Sequence, residues 1–114
     1  RERRRTQRAP IEMWVEELTG DSQVFRRAGN LSRGGIYLDK TIPIPIGTTV
    51  RLRFTLPGDS RPLEVDGVIV SIDPTLELGM GVKFQGLAEP DAERIDRWVY
   101  RALTPIEVVP TGDK

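Results

Sequence analysis

Apolar side chains recur at every second position in several stretches of this chain and at every third or fourth position in one. Over residues 11–18, Ile11, Met13 and Val15 share one face and Glu12, Trp14 and Glu16 the other, the pattern of a strand with one wet face. Thr19-Gly20-Asp21-Ser22 is a turn cluster, so residues 23–28 are predicted as the returning strand of a hairpin. Val50, Leu52, Phe54 and Leu56 alternate with Arg51, Arg53 and Thr55, and Pro57-Gly58-Asp59-Ser60 ends that strand. Residues 63–72 begin with Leu63 and Val65 inward and then change phase to Val68, Val70 and Ile72, which predicts a bulge at Gly67. Met80, Val82 and Phe84 mark the last strand.

Between these stretches the polar and special residues dominate. Residues 29–35 have the composition of a loop, from which Ile36-Tyr37-Leu38 leaves as a short strand. Asn tolerates positive φ and Gly favours it, so this loop is expected to curl its N–H groups toward an anion. Ile42-Pro43-Ile44-Pro45-Ile46 is extended, because each proline fixes its own φ and restricts its predecessor, and it serves as a connector or an edge. After Gly86 the period becomes helical: Ala88, Ala92, Ile95, Val99 and Ala102 form a stripe, with Trp98 and Leu103 beside it. Pro90 suits the first turn, Asp91 and Glu93 its positive end, Arg97 and Arg101 the other, and Pro105 stops it.

Short strands followed by one amphipathic helix predict an all-β fold, a small β-barrel with the helix laid across an opening or flank. The expected organisation is a flexible Arg-rich arm over residues 1–9, a barrel plus helix over 10–105 with the helix at about 89–104, and a tail over 106–114. A chain of 114 residues is one domain with one modest core.

Composition narrows the chemistry. Formal charge is zero, with 17 basic and 17 acidic residues, which argues against a whole-surface attraction to DNA, RNA or membrane. Five of the first eight residues are nevertheless Arg, so any anion attraction is local. The chain has neither Cys nor His, which removes disulfides, thiolate sites and most zinc and acid–base relays and lowers the prior for an enzyme. No apolar run reaches the roughly 20 residues of a membrane span, and the expectation is a soluble, cytoplasmic protein without membrane insertion.

Two motifs then stand out. Arg3-Arg4-x-x-x-Arg8 supplies planar, permanently charged forks, and Asn30-x-Ser32-x-x-Gly35 supplies an amide, a hydroxyl and a glycine turn. Guanidinium grips phosphate or the O6/N7 edge of guanine in bidentate fashion, and short polar groups complete the grip. Arg4 and Arg8 would be the main forks, with Arg3 adding charge or a stacking plane. Asn30 would offer donor and acceptor to a guanine edge, Ser32 a hydroxyl to phosphate, and Gly35 a backbone close to the ligand. Asn30 and Ser32 can equally cap their own Asx or ST turn, and the two roles coexist. Arg5, Arg26, Arg27 and Arg33 are further sources of charge. Trp14 is expected to pack against the protein, Trp98 to sit in the core or at its rim, and Arg51 and Arg53 to be solubilising edge charges. Glu64, Asp66 and Asp73 are read as a solvated strand face, since nothing converges with them.

In this order the two motifs resemble those of the PilZ domain family, RRxxxR in an N-terminal arm followed by (D/N)xSxxG on a β-barrel. Gly47-Thr48-Thr49-Val50, Leu56-Pro57-Gly58 and Gly79-Met80-Gly81-Val82-Lys83-Phe84 also match its spacing. The resemblance implies a six-stranded antiparallel barrel with a C-terminal helix. It also implies binding of the bacterial second messenger cyclic di-GMP, no chemistry on that ligand and no cofactor. The implied mechanism is an arm that orders over the ligand and offers a new surface to a downstream partner or fused domain. Glu2, acidic beside the arginine pair, disfavours a second dinucleotide; stoichiometry and a homodimer are left open. The alternatives are a ligand-independent protein-interaction module on the same fold and a barrel that binds nucleic acid through its arm.

Overall fold

The computed structural model describes residues 7–19, 21–73, 75 and 78–104. Six strands, β1 (Ala9–Thr19), β2 (Ser22–Ser32), β3 (Gly35–Asp39), β4 (Thr49–Phe54), β5 (Leu63–Ile72) and β6 (Met80–Gln85), precede one helix, α1 (Glu89–Leu103). All neighbours are antiparallel, in the order β1-β2-β3-β6-β5-β4, and β4 returns to β1 through Glu16 opposite Arg53 and Leu18 opposite Arg51. The sheet is thus a closed barrel, and among the described residues no sheet edge is left to pair with another chain.

The period-2 stripes become the barrel interior. Val15, Leu31, Ile36, Leu38, Leu52, Leu63, Ile69 and Met80 are fully buried, and Phe54 stacks on Phe84 with centroids 6.3 Å apart. Ile95 and Val99 of α1 join the same core, with Leu87 and Trp98 packed at its rim, so the helix is a wall of the core. Pro90 occupies the first turn, and acidic Glu89 and Asp91 face basic Arg101 across the length of α1, as the helix dipole favours. At the end of β4 the Asp59 N–H donates to the Leu56 carbonyl at 2.9 Å with Gly58 at φ 88°, a type II turn in which Pro57 presets the first corner. The connector has no regular structure over 42–45 and then turns at Ile46-Gly47, where the Thr48 N–H donates to the Pro45 carbonyl at 3.2 Å, so the extended reading fails at its end; the Ile44 N–H on Met80 Sδ at 3.3 Å tacks it down.

Several expectations are corrected. Residues 29–32 are not loop: β2 runs through Gly29, Asn30 and Ser32, and only Arg33-Gly34 turns into β3. Strand pairing outweighed composition here, because β2 has a partner on each side, Asn30 lying opposite Pro10 of β1 and Tyr37 of β3. No residue of the motif has positive φ, so the expected curl of N–H groups is absent. The phase change in β5 falls three residues later than predicted. Gly67 stays inward in step with Leu63 and Val65, the register shifts between Ile69 and Ser71, and Val70 is left 48% exposed. Trp14 lies on the outer face, as its alternation predicts, but at 65% exposure it is not packed against the protein as expected.

The charged strand faces are paired. Arg51 contacts Glu64 and Asp66, and Arg53 bonds Glu16 at 2.7 Å and reaches Glu64, all on the barrel exterior. These arginines are cross-strand partners within a closed sheet, so the edge-charge expectation fails, and two of the three carboxylates read as solvated, Glu64 and Asp66, are their acceptors.

Candidate functional site

The hairpin register explains why two distant motifs meet. β1 and β2 are antiparallel, with Thr19 opposite Ser22 and Ala9 opposite Leu31, so Arg8, just before β1, arrives beside Ser32, just before the β2–β3 turn. A one-residue bulge between Pro10 and Met13 sets the final offset, at the point where Pro10 has no N–H to give the ladder. Arg8 Nη1 then donates to Asn30 Oδ1 at 3.2 Å. Arg3, Arg4 and Arg5 lie outside the described residues.

Ser32 is 5% exposed and doubly engaged: its hydroxyl accepts from the Gly34 N–H at 3.2 Å and lies 3.4 Å from the Gly35 carbonyl, to which it donates. This is the self-capped turn expected of the motif. Gly35 is required by the barrel itself, because a Cβ there would fall on the Val82 carbonyl oxygen of β6. The motif glycine therefore has a packing reason besides closeness to a ligand.

Arg8, Ser32 and Gly35 open onto one cavity of about 360 Å³ on the outer face of β3, β6 and β5. Tyr37, Ser71 and Lys83 complete much of its lining, with Gly34 and Gly81 as floor and no carboxylate among the lining residues. Asn30 is not part of that lining and touches the site through Arg8. Burial, then Asp73 and Asp39, push the Tyr37 phenol above its usual range, so it stays a neutral donor, hydrogen-bonded to Asp73. Arg8 and Lys83 have no carboxylate within 4.0 Å among the described residues, which leaves a positive mouth over a floor with little side-chain bulk.

Tyr37, Ser71 and Lys83 had no sequence signal as cavity residues. Gly81 was visible only as a spacing landmark, and outward alternation from Ile36 and Val82 was the one clue that Tyr37, Gly81 and Lys83 share a face.

The other motif-adjacent arginines are engaged elsewhere. Arg26 Nε bonds the buried Glu17 at 2.7 Å and its Nη1 the Thr41 hydroxyl at 2.6 Å; Arg27 meets Glu12 at 3.4 Å. Arg33, inside the motif, points to α1: its Nη2 donates to both Glu89 carboxylate oxygens, at 3.0 and 2.9 Å, and its Nη1 to Asp96. Those hydrogen bonds, Asp96 first and Glu89 next, raise its pKa further above the normal range. None of the three lines the cavity, which corrects the expectation that they add charge to it.

The family model described as PilZ domain matches residues 2–101. Among solved structures, the Bacillus subtilis inhibitor of motility MotI/DgrA superposes with a TM-score of 0.71 at 22% identity, over 83% of this chain and 48% of that one. The chain thus spans about half the length of that neighbour, and the likeness is one of fold. No curated protein matches the sequence.

Proposed function

The chain belongs to the PilZ domain family, a family of binding and receptor domains rather than catalysts, and on that premise we propose that it binds cyclic di-GMP in the cavity beside Arg8. The observation that carries this reading is the convergence of Arg8, Ser32 and Gly35 on one carboxylate-free cavity, with Asn30 bonded to Arg8. Arg8 and Lys83 attract the phosphates, and the Asn30 amide and the Tyr37 phenol offer neutral hydrogen bonds to base edges. Gly34, Gly35 and Gly81 keep the lining low enough for a planar base to approach.

Arg3 and Arg4 join from the arm. The anion cancels repulsion among the arginines and pins the arm over the cavity, giving a downstream partner or fused domain a surface that the free protein lacks. The contact of Arg8 with Asn30 is a single hydrogen bond, with no ion pair among the described residues, so a phosphate displaces it at little cost.

The test is a two-dimensional NMR titration of the labelled protein with cyclic di-GMP. Saturable shifts at the amides of Gly34, Gly35, Tyr37, Ser71 and Gly81, with the hairpin tip at Ser22 and Gln23 unmoved, are expected. Shifts confined to α1, or none that saturate, contradict the proposal.

A further inference from the structure

Ten arginines fall within the described residues, and they divide sharply by partner. Arg26, Arg27, Arg33, Arg51, Arg53 and Arg94 each hold a carboxylate. The remaining four are Arg8, at the cavity already described, and Arg61, Arg97 and Arg101, which all line a different hollow of about 390 Å³ between the β4–β5 turn and α1. We infer that this hollow is a second anion site, built for a small phosphate-bearing molecule.

Its construction favours an anion in three ways. Arg94, Arg97 and Arg101 recur three and four residues apart on one face of α1, and Arg61 faces them from the turn. Arg94 is the fixed wall: its Nη2 holds Asp59 at 2.8 Å and the Arg61 carbonyl at 2.6 Å, and its Nη1 holds Asp91 at 3.1 Å. That clamp consumes the carboxylate that lines the hollow, Asp59, whose carboxyl the Arg94 hydrogen bond holds below its usual range. Glu93, one helical turn before Arg97, forms no ion pair among the described residues. Arg97 and Arg101, together with Arg61, whose charge meets only the Asp59 that Arg94 already holds, therefore leave the concavity with an excess of positive charge, and an anion there relieves their mutual repulsion.

Shape selects the size of the ligand. The charges surround a concavity instead of projecting from a flat face, as they would for a membrane or a nucleic-acid backbone. Trp98, half-buried in the wall, adds a ring plane on which an organic phosphate can lay its apolar part. The site faces the helix and the Pro57-Gly58 turn, and it shares no lining residue with the cavity at Arg8.

The probe is inorganic pyrophosphate, titrated into full-length Trp14→Phe protein so that Trp98 is the sole indole. Saturable change in Trp98 fluorescence is expected, weakened about tenfold or more by Arg97→Ala and by Arg101→Ala, since each removes a charge-assisted contact, and left intact by Arg8→Ala. Thermal melts accompany each variant; both helix arginines are exposed and, among the described residues, without a carboxylate partner, so melting is expected to stay unchanged. Phosphatidylglycerol vesicles and a random single-stranded oligonucleotide form parallel arms. No saturable pyrophosphate signal, loss of it with Arg8→Ala, or binding to vesicles or oligonucleotide alone overturns the inference.

Discussion

Ser32 and Gly35 show how little freedom the motif has at the level of single residues. The Ser32 hydroxyl is committed to the turn backbone, accepting from Gly34 and lying beside the Gly35 carbonyl, while Gly35 has no room for a side chain against Val82. Ser32→Ala leaves the Gly34 N–H without its acceptor and the buried Gly35 carbonyl without its donor, and is expected to cost about 1–3 kcal/mol in urea denaturation, apart from any effect on ligand. Gly35→Ala forces β3 away from β6 and is expected to cost about 1–3 kcal/mol by the same measurement. Asn30→Ala, by contrast, loses one exposed contact to Arg8, so stability is expected to hold while affinity for cyclic di-GMP falls. If Asn30→Ala destabilised the protein as much as Gly35→Ala, the division between ligand and packing roles would be wrong.

Among elements, α1 is held by apolar and ionic contacts of different kinds. Ile95 is fully buried in the barrel core, and Ile95→Ala is expected to lower stability by about 2–5 kcal/mol through the cavity it leaves. The Arg94 clamp adds a pH dependence. Asp59 is held below its unfolded value, so its contribution is present above about pH 4 and is lost as pH falls through the lower folded value. The urea midpoint of wild type should therefore drop more between pH 7 and pH 3 than that of Asp59→Asn; equal drops would contradict the pairing.

Period 2 and period 3.6 revealed β1, β4, β6 and α1, because in each one face is buried and the other wet. The end of β2 escaped, since Gly29, Asn30 and Ser32 are loop formers whose strand state depends on β1, where Asn30 meets Pro10, and on β3. The β5 bulge was foreseen but misplaced: Gly67 looked like the break, whereas the step over Val70 is set by pairing with β6, which a local window cannot register. Arg33 was equally opaque, its partners Glu89 and Asp96 lying far along the chain.

At the scale of the whole molecule, net charge is zero, yet its cations are sorted. Among the described residues, those on strand faces neutralise carboxylates, and the arginines without a carboxylate partner line two cavities. The hairpin register brings Arg8 to the β2–β3 turn, beside a motif more than twenty residues away in the chain, and this supports the proposed ligand site. Binding there should weaken with added salt, since its attraction is local and charged, and a salt-independent affinity would argue against it. Isothermal titration of cyclic di-GMP into wild type and Arg8→Ala tests the central claim most directly. Saturable binding by wild type, weakened about ten- to a hundredfold by loss of one charge-assisted fork, is the predicted result; equal affinity of the two proteins, or no binding by wild type, would contradict it.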